Sequence, residues 1–232
     1  MLFKRFLRAL ILITATSIMA MPVMAAKHLI GVLVYDGVLT SDVIAPAEVF
    51  GVATRKSWFS EYEVVLIGVD DKQVITTEEG IKLTVDATIN SAPELDVLIV
   101  NSAYDMDHLF ENSKLTSFLQ SMAKKVKWLA SNCSGAFLYA HAGLLDGYKA
   151  TTWAGGEKNL QSKFPKINVI EDQNVVVDRN RITSNGGVPS YQGALVLLTL
   201  MSKESNAKEV FETIQLNRLI SWSDVLKYIP SN

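Results

Sequence analysis

Short apolar segments rich in β-branched residues recur along this chain, and each is followed by a stretch with helical spacing. Four of them are near-continuous apolar runs, as in strands buried on both faces: HLIGVLVY (28–35), YEVVLIGV (62–69), LDVLIVN (95–101) and VKWLA (126–130). Helices are predicted over 41–54, 108–125 and 134–145. This alternation predicts an α/β fold, a doubly wound and mainly parallel sheet with helices on both faces.

The remaining pattern extends the same unit without a linker that would divide it. A short strand is predicted at 149–153, a helix at 156–164, a hairpin from VVVD (175–178) and RITS (181–184), and helices at 190–202 and 206–217. Residues 73–76 and 82–86 are predicted to form a small hairpin. In the first helix, Ser41 or Asp42 is the expected N-cap, and Pro46 is expected to limit the first turn.

The first 26 residues differ from the rest. A basic start, MLFKRFLR, precedes an apolar run of 13 residues, ALILITATSIMAM, and the small residues of PVMAA. This pattern predicts a secretory signal peptide over 1–26 and a single domain over 27–232, in a periplasmic or secreted protein with no stable membrane association after signal removal. An uncleaved N-terminal anchor is the alternative, although the run is short of the roughly 20 residues that span a membrane.

Charge and residue spacing exclude several kinds of partner. Without Lys4, Arg5 and Arg8 the chain has 19 Lys and Arg (22 less 3) against 24 Asp and Glu, a net charge of −5. Such a surface does not favour a phosphate backbone, so nucleic acid is not an expected partner. No set of residues has zinc-ligand spacing, and we predict no metal and no cofactor. The expected partner is a small-molecule ligand or substrate.

The single cysteine lies at a strand-to-helix corner, in SNCSGAF (131–137). Ser131 lies two residues before Cys133 and Gly135 two after, which is the small-x-nucleophile-x-Gly pattern of a nucleophile elbow with strained backbone torsions. A helix start would lower the pKa of the thiol, and the Ser134 N–H would face a developing oxyanion. The alternative is a buried, inert cysteine.

Three segments together resemble the ThiJ/PfpI superfamily of class-I glutamine-amidotransferase-like proteins: 30–51, 129–153 and 175–198. The nearest branch is the isonitrile-hydratase-like and amidase-like one, which also provides ligand domains of some transcription regulators. The resemblance implies a flavodoxin-like fold, commonly a homodimer, with Cys133 as the elbow cysteine. It also implies that Asp42, in the register D-x-x-x-P, lies against the sulfur. The residues alone leave Asp42 open to a role as an N-cap.

The chain departs from the family pattern at two places. Trp153 stands where hydrolase-like members have a histidine, which makes peptidase activity unlikely. Asn101, Ser102 and Ala103 stand where many relatives have a Gly-Gly whose N–H groups complete an oxyanion hole. We expect small residues there to leave an N–H facing the pocket, and Asn101 to offer its side-chain donor.

The candidate site therefore has Cys133 and Asp42 as catalytic residues, and a set of candidate substrate-binding residues: Ser134, Ser102, Ala103, Asn101 and Trp153. Tyr104 and Trp153 either line the pocket or serve as packing groups. His28 and His141 are expected far from the site and His108 near its edge, while Gly186 and Gly187 are expected to form a left-handed turn near the cysteine.

Three functions fit this site. The first is hydration or hydrolysis of a small carbon–nitrogen compound by the cysteine. The second is a ligand-binding or sensory domain without turnover. The third is a redox-responsive protein in which Cys133 is oxidised.

Overall fold

The computed structural model describes residues 26–56 and 60–230, so the predicted signal peptide lies, but for its last residue, outside the described residues. The strands have these bounds: β1 Ala26–Val34, β2 Ser60–Gly68, β3 Val74–Thr76, β4 Lys82–Thr84, β5 Ala87–Thr88, β6 Val97–Val100, β7 Trp128–Asn132, β8 Lys149–Ala150, β9 Asn168–Val169, β10 Val175–Asp178 and β11 Arg181–Ser184. The helices have these bounds: α1 Thr40–Lys56, α2 Asp107–Phe110, α3 Ser113–Met122, α4 Gly135–His141, α5 Glu157–Lys163, α6 Pro189–Met201, α7 Glu204–Thr213 and α8 Ser223–Leu226. A short 3-10 turn, Leu216–Arg218, follows α7.

Seven strands form the central sheet, in the order β10-β11-β7-β6-β1-β2-β5. All neighbours in it are parallel except β10 and β11, which form the predicted hairpin. Helices α1, α6 and α7 pack together on one side, and α4 packs with α2 and α3 against β6 and β7. The predicted doubly wound α/β fold is confirmed.

The sheet core explains why the apolar runs lack alternation. β1 and β6 lie in the middle of the sheet, and their residues Ile30, Val32, Leu33, Val97 and Leu98 are fully buried. A strand covered by helices on both faces buries successive side chains, so every position is apolar. Each such side chain contributes about 1.5–3 kcal/mol relative to exposure.

The topology reverses beside β1. The chain pairs β1 with β2 on one side and then crosses to β6 on the other. In open α/β sheets, ligands bind at the carboxyl ends of the strands where the order reverses. The carboxyl ends of β1, β6 and the adjacent β7 are therefore the expected place for a site.

Several predicted boundaries were wrong. The helix predicted over 108–125 is two helices, because α2 ends with Glu111 as its C-cap and Asn112 caps α3, with its Oδ1 accepting a hydrogen bond from Leu115 N at 3.0 Å. The strand predicted over 149–153 has only Lys149–Ala150. Thr151 N instead donates to the Thr183 hydroxyl at 2.8 Å, which removes it from a ladder.

Helix α1 also differs from the prediction. It begins at Thr40 and runs through Pro46 to Lys56, so Pro46 does not limit it and neither Ser41 nor Asp42 is its N-cap. No helix in residues 26–56 and 60–230 combines the length and apolar character needed to cross a membrane.

Candidate functional site

Cys133 follows β7 directly and holds a strained backbone conformation. Its φ is +51°, in the left-handed region that residues with a side chain rarely adopt. Its N–H still donates to Ser184 O of β11 at 2.9 Å, while its C=O accepts from the Thr152 hydroxyl at 2.9 Å. These two hydrogen bonds stabilise the strained backbone conformation, which is the geometry that the elbow pattern predicted.

Glycines let the backbone close around this corner. A side-chain carbon at Gly135 would lie 2.4 Å from Val100 O, so the elbow helix packs against the end of β6 only without one. Gly186 has φ +82°, and a side-chain carbon there would lie 2.3 Å from Cys133 Cβ. The predicted left-handed glycine turn near the cysteine is confirmed at Gly186 and Gly187.

The Asp42 carboxyl is fully buried behind the cysteine and is held by three donors. Oδ2 accepts from the Ser102 hydroxyl at 2.5 Å, and Oδ1 accepts from Gly187 N and the Ser190 hydroxyl, each at 2.9 Å. Burial raises the pKa of Asp42, while these hydrogen bonds act to lower it. The carboxyl group thus binds the loops around the cysteine and does not cap its own helix.

Pro46 explains why the spacing of the D-x-x-x-P register matters. It has no N–H, so the carbonyl of Asp42, four residues earlier, receives no helical hydrogen bond. Asn132 Nδ2 donates to that carbonyl at 3.0 Å. The same amide group donates to Asn101 Oδ1 at 3.1 Å, and its Oδ1 accepts from the Ser184 hydroxyl at 2.6 Å. Asn132 therefore joins α1, β11 and Asn101, the residue that follows β6, beside Cys133.

The expected lowering of the Cys133 pKa was wrong. Burial raises the pKa of the thiol, and the charge of Asp42 raises it further. Interactions with the Ser102 hydroxyl and with the N–H and hydroxyl of Ser134 act in the opposite direction without overcoming burial. Helix α4 has only seven residues, so its dipole is a weak source of stabilisation for a thiolate.

Cys133 is half-buried and opens into a pocket of about 470 Å³. Four aromatic side chains, Tyr104, Phe110, Phe137 and Trp153, form part of its wall. The rings of Phe137 and Trp153 stack with centroids 5.2 Å apart. Asn159, Lys163 and Asp107 add polar groups. A pocket of this size and lining fits a small, largely apolar molecule.

The structure brings some of the predicted binding residues to this pocket and not others. Ser134, Ala103 and Trp153 line it. Ser102 is fully buried, and its hydroxyl turns to Asp42. Asn101 is also fully buried, and its Nδ2 donates to Leu33 O at 3.1 Å. The expected side-chain donor from Asn101 therefore points into the protein core.

Tyr104 and the histidines are placed as follows. Tyr104 lines the pocket and is 81% exposed, so it is not a packing group. His28 lies in β1 against Tyr62, and His141 contacts Phe110 from the exposed side of α4. His108 is exposed beside Tyr35. Within the described residues, the pocket lining contains no histidine.

Sequence reasoning missed several contributors to the site, among them two that hold it together and two that line the pocket. Asn132 and Ser190 carry the hydrogen bonds described above, and Phe137 and Lys163 line the pocket. The position of Asn132, directly before the elbow cysteine at the end of a strand, was a usable signal. Ser190 follows Pro189 at the start of a helix, a place where serine has common local roles, so its reach to Asp42 was not readable. Over the described ranges, no group of three or more His, Cys, Asp or Glu is arranged to hold a metal ion.

Comparison with known proteins agrees with this geometry. The model of the DJ-1/PfpI family matches residues 28–199, which contain the elbow, Asp42 and the glycine turn. The chain belongs to the DJ-1/PfpI family. Its relatives include an isonitrile hydratase and a transcriptional regulator, so membership establishes the fold but leaves the reaction open.

Two curated relatives illustrate that range. Isonitrile hydratase of Pseudomonas putida is 27% identical over 203 residues, covering 87% of this chain and 79% of that protein. The HTH-type transcriptional regulator GbdR of Pseudomonas aeruginosa is 30% identical over 158 residues, 68% of this chain but only 42% of the regulator. The chain thus matches less than half the length of that regulator.

Solved structures support the fold. A ThiJ/PfpI family protein from Pseudomonas syringae superposes with a TM-score of 0.73 at 24% identity, covering 82% of this chain and 76% of that one. DJ-1beta of Drosophila melanogaster gives a TM-score of 0.71 at 19% identity, with coverage of 82% and 98%. The predicted family and the flavodoxin-like architecture are both confirmed.

Proposed function

We propose that this protein is a cysteine-dependent enzyme that hydrates or hydrolyses a small carbon–nitrogen compound, with isonitriles as the first substrate class to test. The observation that carries the proposal is the position of Cys133: a strained, half-buried thiol at the base of a pocket, with a buried carboxyl behind it. The similarity to isonitrile hydratase over most of both chains selects the substrate class.

The proposed chemistry uses protons as well as the sulfur. The S–H bond of Cys133 breaks as its proton passes to the isonitrile carbon and the sulfur bonds to that carbon, giving a thioimidate. Water then adds across the C=N bond, with its oxygen bonding to the carbon and one of its protons passing to the nitrogen. The C–S bond breaks, the hydroxyl proton returns to the sulfur, and the N-substituted formamide leaves. A thiol with a raised pKa keeps the proton that the first step needs.

Two neighbouring groups assist in this proposal. The Ser134 N–H acts to lower the pKa of the thiol, and in this proposal it stabilises negative charge near the sulfur. Asp42 takes up and returns a proton from behind the cysteine, because burial raises its pKa above that of an ordinary carboxyl group. Amide cleavage fits less well, since expelling an amine needs a proton donor in the pocket and Trp153 stands where related hydrolases have histidine.

A ligand-binding or sensory role is the second candidate. Two observations favour it: the similarity to a transcription regulator, and a pocket lining without histidine in the described part of the chain. In this case the pocket binds a metabolite and Cys133 does not turn it over. A redox-responsive role for Cys133 is the third candidate, in which peroxide oxidises the thiol to a sulfenic acid and leaves as water.

One set of assays separates the three candidates. Purified protein is incubated with small aliphatic and aromatic isonitriles and with the matching amides, and formamide or acid release is followed by chromatography. Turnover that is lost in Cys133→Ala supports the enzyme. Ligand binding that survives Cys133→Ser, together with no turnover by the wild-type protein, supports the sensor and contradicts the enzyme. Uptake of one equivalent of peroxide at Cys133, with neither turnover nor binding, supports the redox role.

Export and self-association are further parts of the proposal. The signal pattern in 1–26 supports delivery to the periplasm or to the outside, followed by removal of the signal. N-terminal sequencing of the protein from fractionated cells tests this, and an intact N-terminus in the membrane fraction would contradict it. The homodimer implied by the family resemblance is tested by light scattering on the mature chain.

A further inference from the structure

Helix α5 presents two polar side chains to the pocket that contains Cys133. Asn159 and Lys163 are four residues apart on this helix, so they lie on the same face of it, and both line the pocket. Neither side chain makes a hydrogen bond or an ion pair with another residue of the described part of the chain. The donors of both groups are therefore available to a ligand in the pocket.

The ammonium group of Lys163 is close to the wall that leads to the cysteine. Its Nζ lies 5.8 Å from the centroid of the Phe137 ring. Phe137 N in turn donates to Ser134 O at 2.9 Å, so this ring belongs to the helical turn that directly follows Cys133. The thiol, an aromatic ring and a positive charge therefore follow one another along one side of the pocket.

The negative charge of the pocket lies on a different element. Asp107 begins α2, and it forms no ion pair with Lys163. Asn159 adds hydrogen-bond donors beside Lys163, whereas α2 adds only the apolar ring of Phe110 beside Asp107. The lining therefore has two neighbouring donor groups suited to an anion, but a single carboxylate on the side suited to a cation.

A carboxylate only accepts hydrogen bonds, and ammonium and amide N–H groups are among its natural partners. We infer that Lys163 and Asn159 bind an anionic group, a carboxylate in the simplest case, at the end of the ligand opposite to the group that meets Cys133. The apolar body of the ligand then packs against Phe137 and Trp153. The net charge of the whole chain is −2, so the attraction for an anion is local to this pocket.

This inference rests on the proposed function for the reacting end of the molecule, which makes the substrate class isonitriles that carry a carboxylate. The subsite itself requires only the pocket. A test that measures binding without turnover therefore separates the two. If no isonitrile is hydrated, the charge preference can still be observed. If uncharged isonitriles are hydrated and no charge preference exists, only the present inference fails.

The experiment uses three probes that share one skeleton and differ in charge: para-formamidobenzoate, which is anionic, formanilide, which is neutral, and para-(aminomethyl)formanilide, which is cationic. Each is a formamide, so none of them can be hydrated as an isonitrile. The chain has one cysteine, so protection from alkylation by iodoacetamide reports occupancy of the Cys133 pocket alone. The probe concentration that halves the alkylation rate gives the dissociation constant.

The variants are Lys163→Gln, Lys163→Arg, Asn159→Ala and Lys158→Gln. Lys158 is the matched control, because it is an exposed lysine of the same helix that does not line the pocket. Lys163 and Asn159 are also exposed, so their substitution should leave the fold intact.

The wild type should bind para-formamidobenzoate more tightly than either other probe. Lys163→Gln should weaken that binding about fivefold, the effect of an exposed ion pair, and Asn159→Ala about threefold. Lys163→Arg should retain it within about twofold, and Lys158→Gln should leave it unchanged. Binding of formanilide should stay within about twofold of the wild type in every variant. Added salt should reduce the preference for the anion.

Two results would overturn the inference about charge. One is an equal loss of formanilide and para-formamidobenzoate binding in Lys163→Gln, which would show that the lysine only packs against the ligand. The other is tighter binding of the cationic probe than of the anionic one, which would make Asp107 the charged partner. Absence of protection by para-formamidobenzoate at millimolar concentration would also overturn it.

Discussion

The hydrogen bonds of Asn132 should stabilise the fold in a way that depends on Pro46. Asn132→Ala leaves three buried groups without the partner that Asn132 supplies: the Asp42 carbonyl, Asn101 Oδ1 and the Ser184 hydroxyl. An unsatisfied buried polar group costs about 1–3 kcal/mol. We therefore expect Asn132→Ala to lower the free energy of unfolding by at least about 3 kcal/mol.

Pro46→Ala should reduce that cost, because it restores an N–H four residues after Asp42. The Asp42 carbonyl then has a helical donor whether or not Asn132 is present. In a double-mutant cycle measured by urea unfolding, Asn132→Ala should cost about 1–2 kcal/mol less in the Pro46→Ala background than in the wild type. Both single substitutions are still expected to destabilise, since Pro46 and Asn132 are buried.

Pro189 supplies the matched control. It opens α6, where a missing N–H frees no helical carbonyl, so Pro189→Ala should show no coupling with Asn132→Ala beyond about 0.5 kcal/mol. A coupling below that value for Pro46 as well would refute the reasoning, because it would show that the carbonyl left free by Pro46 does not need the Asn132 amide.

Three further outcomes are expected. Gly186→Ala should lower the free energy of unfolding, measured in urea, by at least about 2 kcal/mol, whereas Gly187→Ala should lower it by about 1 kcal/mol. Both glycines have positive φ, but a carbon at Gly187 would meet nothing within 4 Å. Equal costs would contradict the contact between residue 186 and Cys133. Because burial raises the Cys133 pKa, the folded state holds the thiol proton above about pH 8.5, where the unfolded chain releases it. The free energy of unfolding of the wild type should therefore fall relative to that of Cys133→Ala as pH rises above that value. Parallel curves of unfolding free energy against pH would disprove the shift. Gly156→Ala should displace the Trp153 ring, because the new carbon would lie 2.1 Å from Trp153 Cε2. Ligand binding measured by titration calorimetry should weaken about tenfold, while the alkylation of Cys133 stays unchanged. Unchanged binding would show that Trp153 does not contact the ligand.

The fold could be predicted from the sequence because its signals are local and repeated. Apolar runs without alternation define strands covered on both faces, and the order of strands and helices then leaves few topologies. The boundaries that failed depend on single side chains: Asn112 divides a helix at a point where apolar spacing continues, and Thr151 bonds to Thr183 across the site. The spacing of apolar residues does not reveal hydrogen bonds made by single side chains.

The site was partly predictable for the same reason. The elbow pattern around Cys133 and the glycine turn are short and sterically strict, so the residue types alone indicate them. Asn101 and Ser102 are adjacent small polar residues at a strand end, and the sequence does not show which way either side chain turns. Asn101 turns to Leu33 and Ser102 to Asp42, choices set by which buried carbonyl or carboxyl lies nearby.

The protonation of the site could not be predicted, because it depends on burial that a strand–helix corner does not reveal. The corner suggested a thiolate, yet burial outweighs the donors around Cys133 and also raises the pKa of Asp42. A thiol whose pKa is raised keeps its proton at neutral pH, which favours reactions that protonate the substrate over reactions that need a permanently charged nucleophile. An isonitrile carbon must gain a proton during hydration, whereas an amide must also expel an amine. The raised pKa of the Cys133 thiol and the replacement of histidine by Trp153 are therefore both consistent with the hydration proposed above.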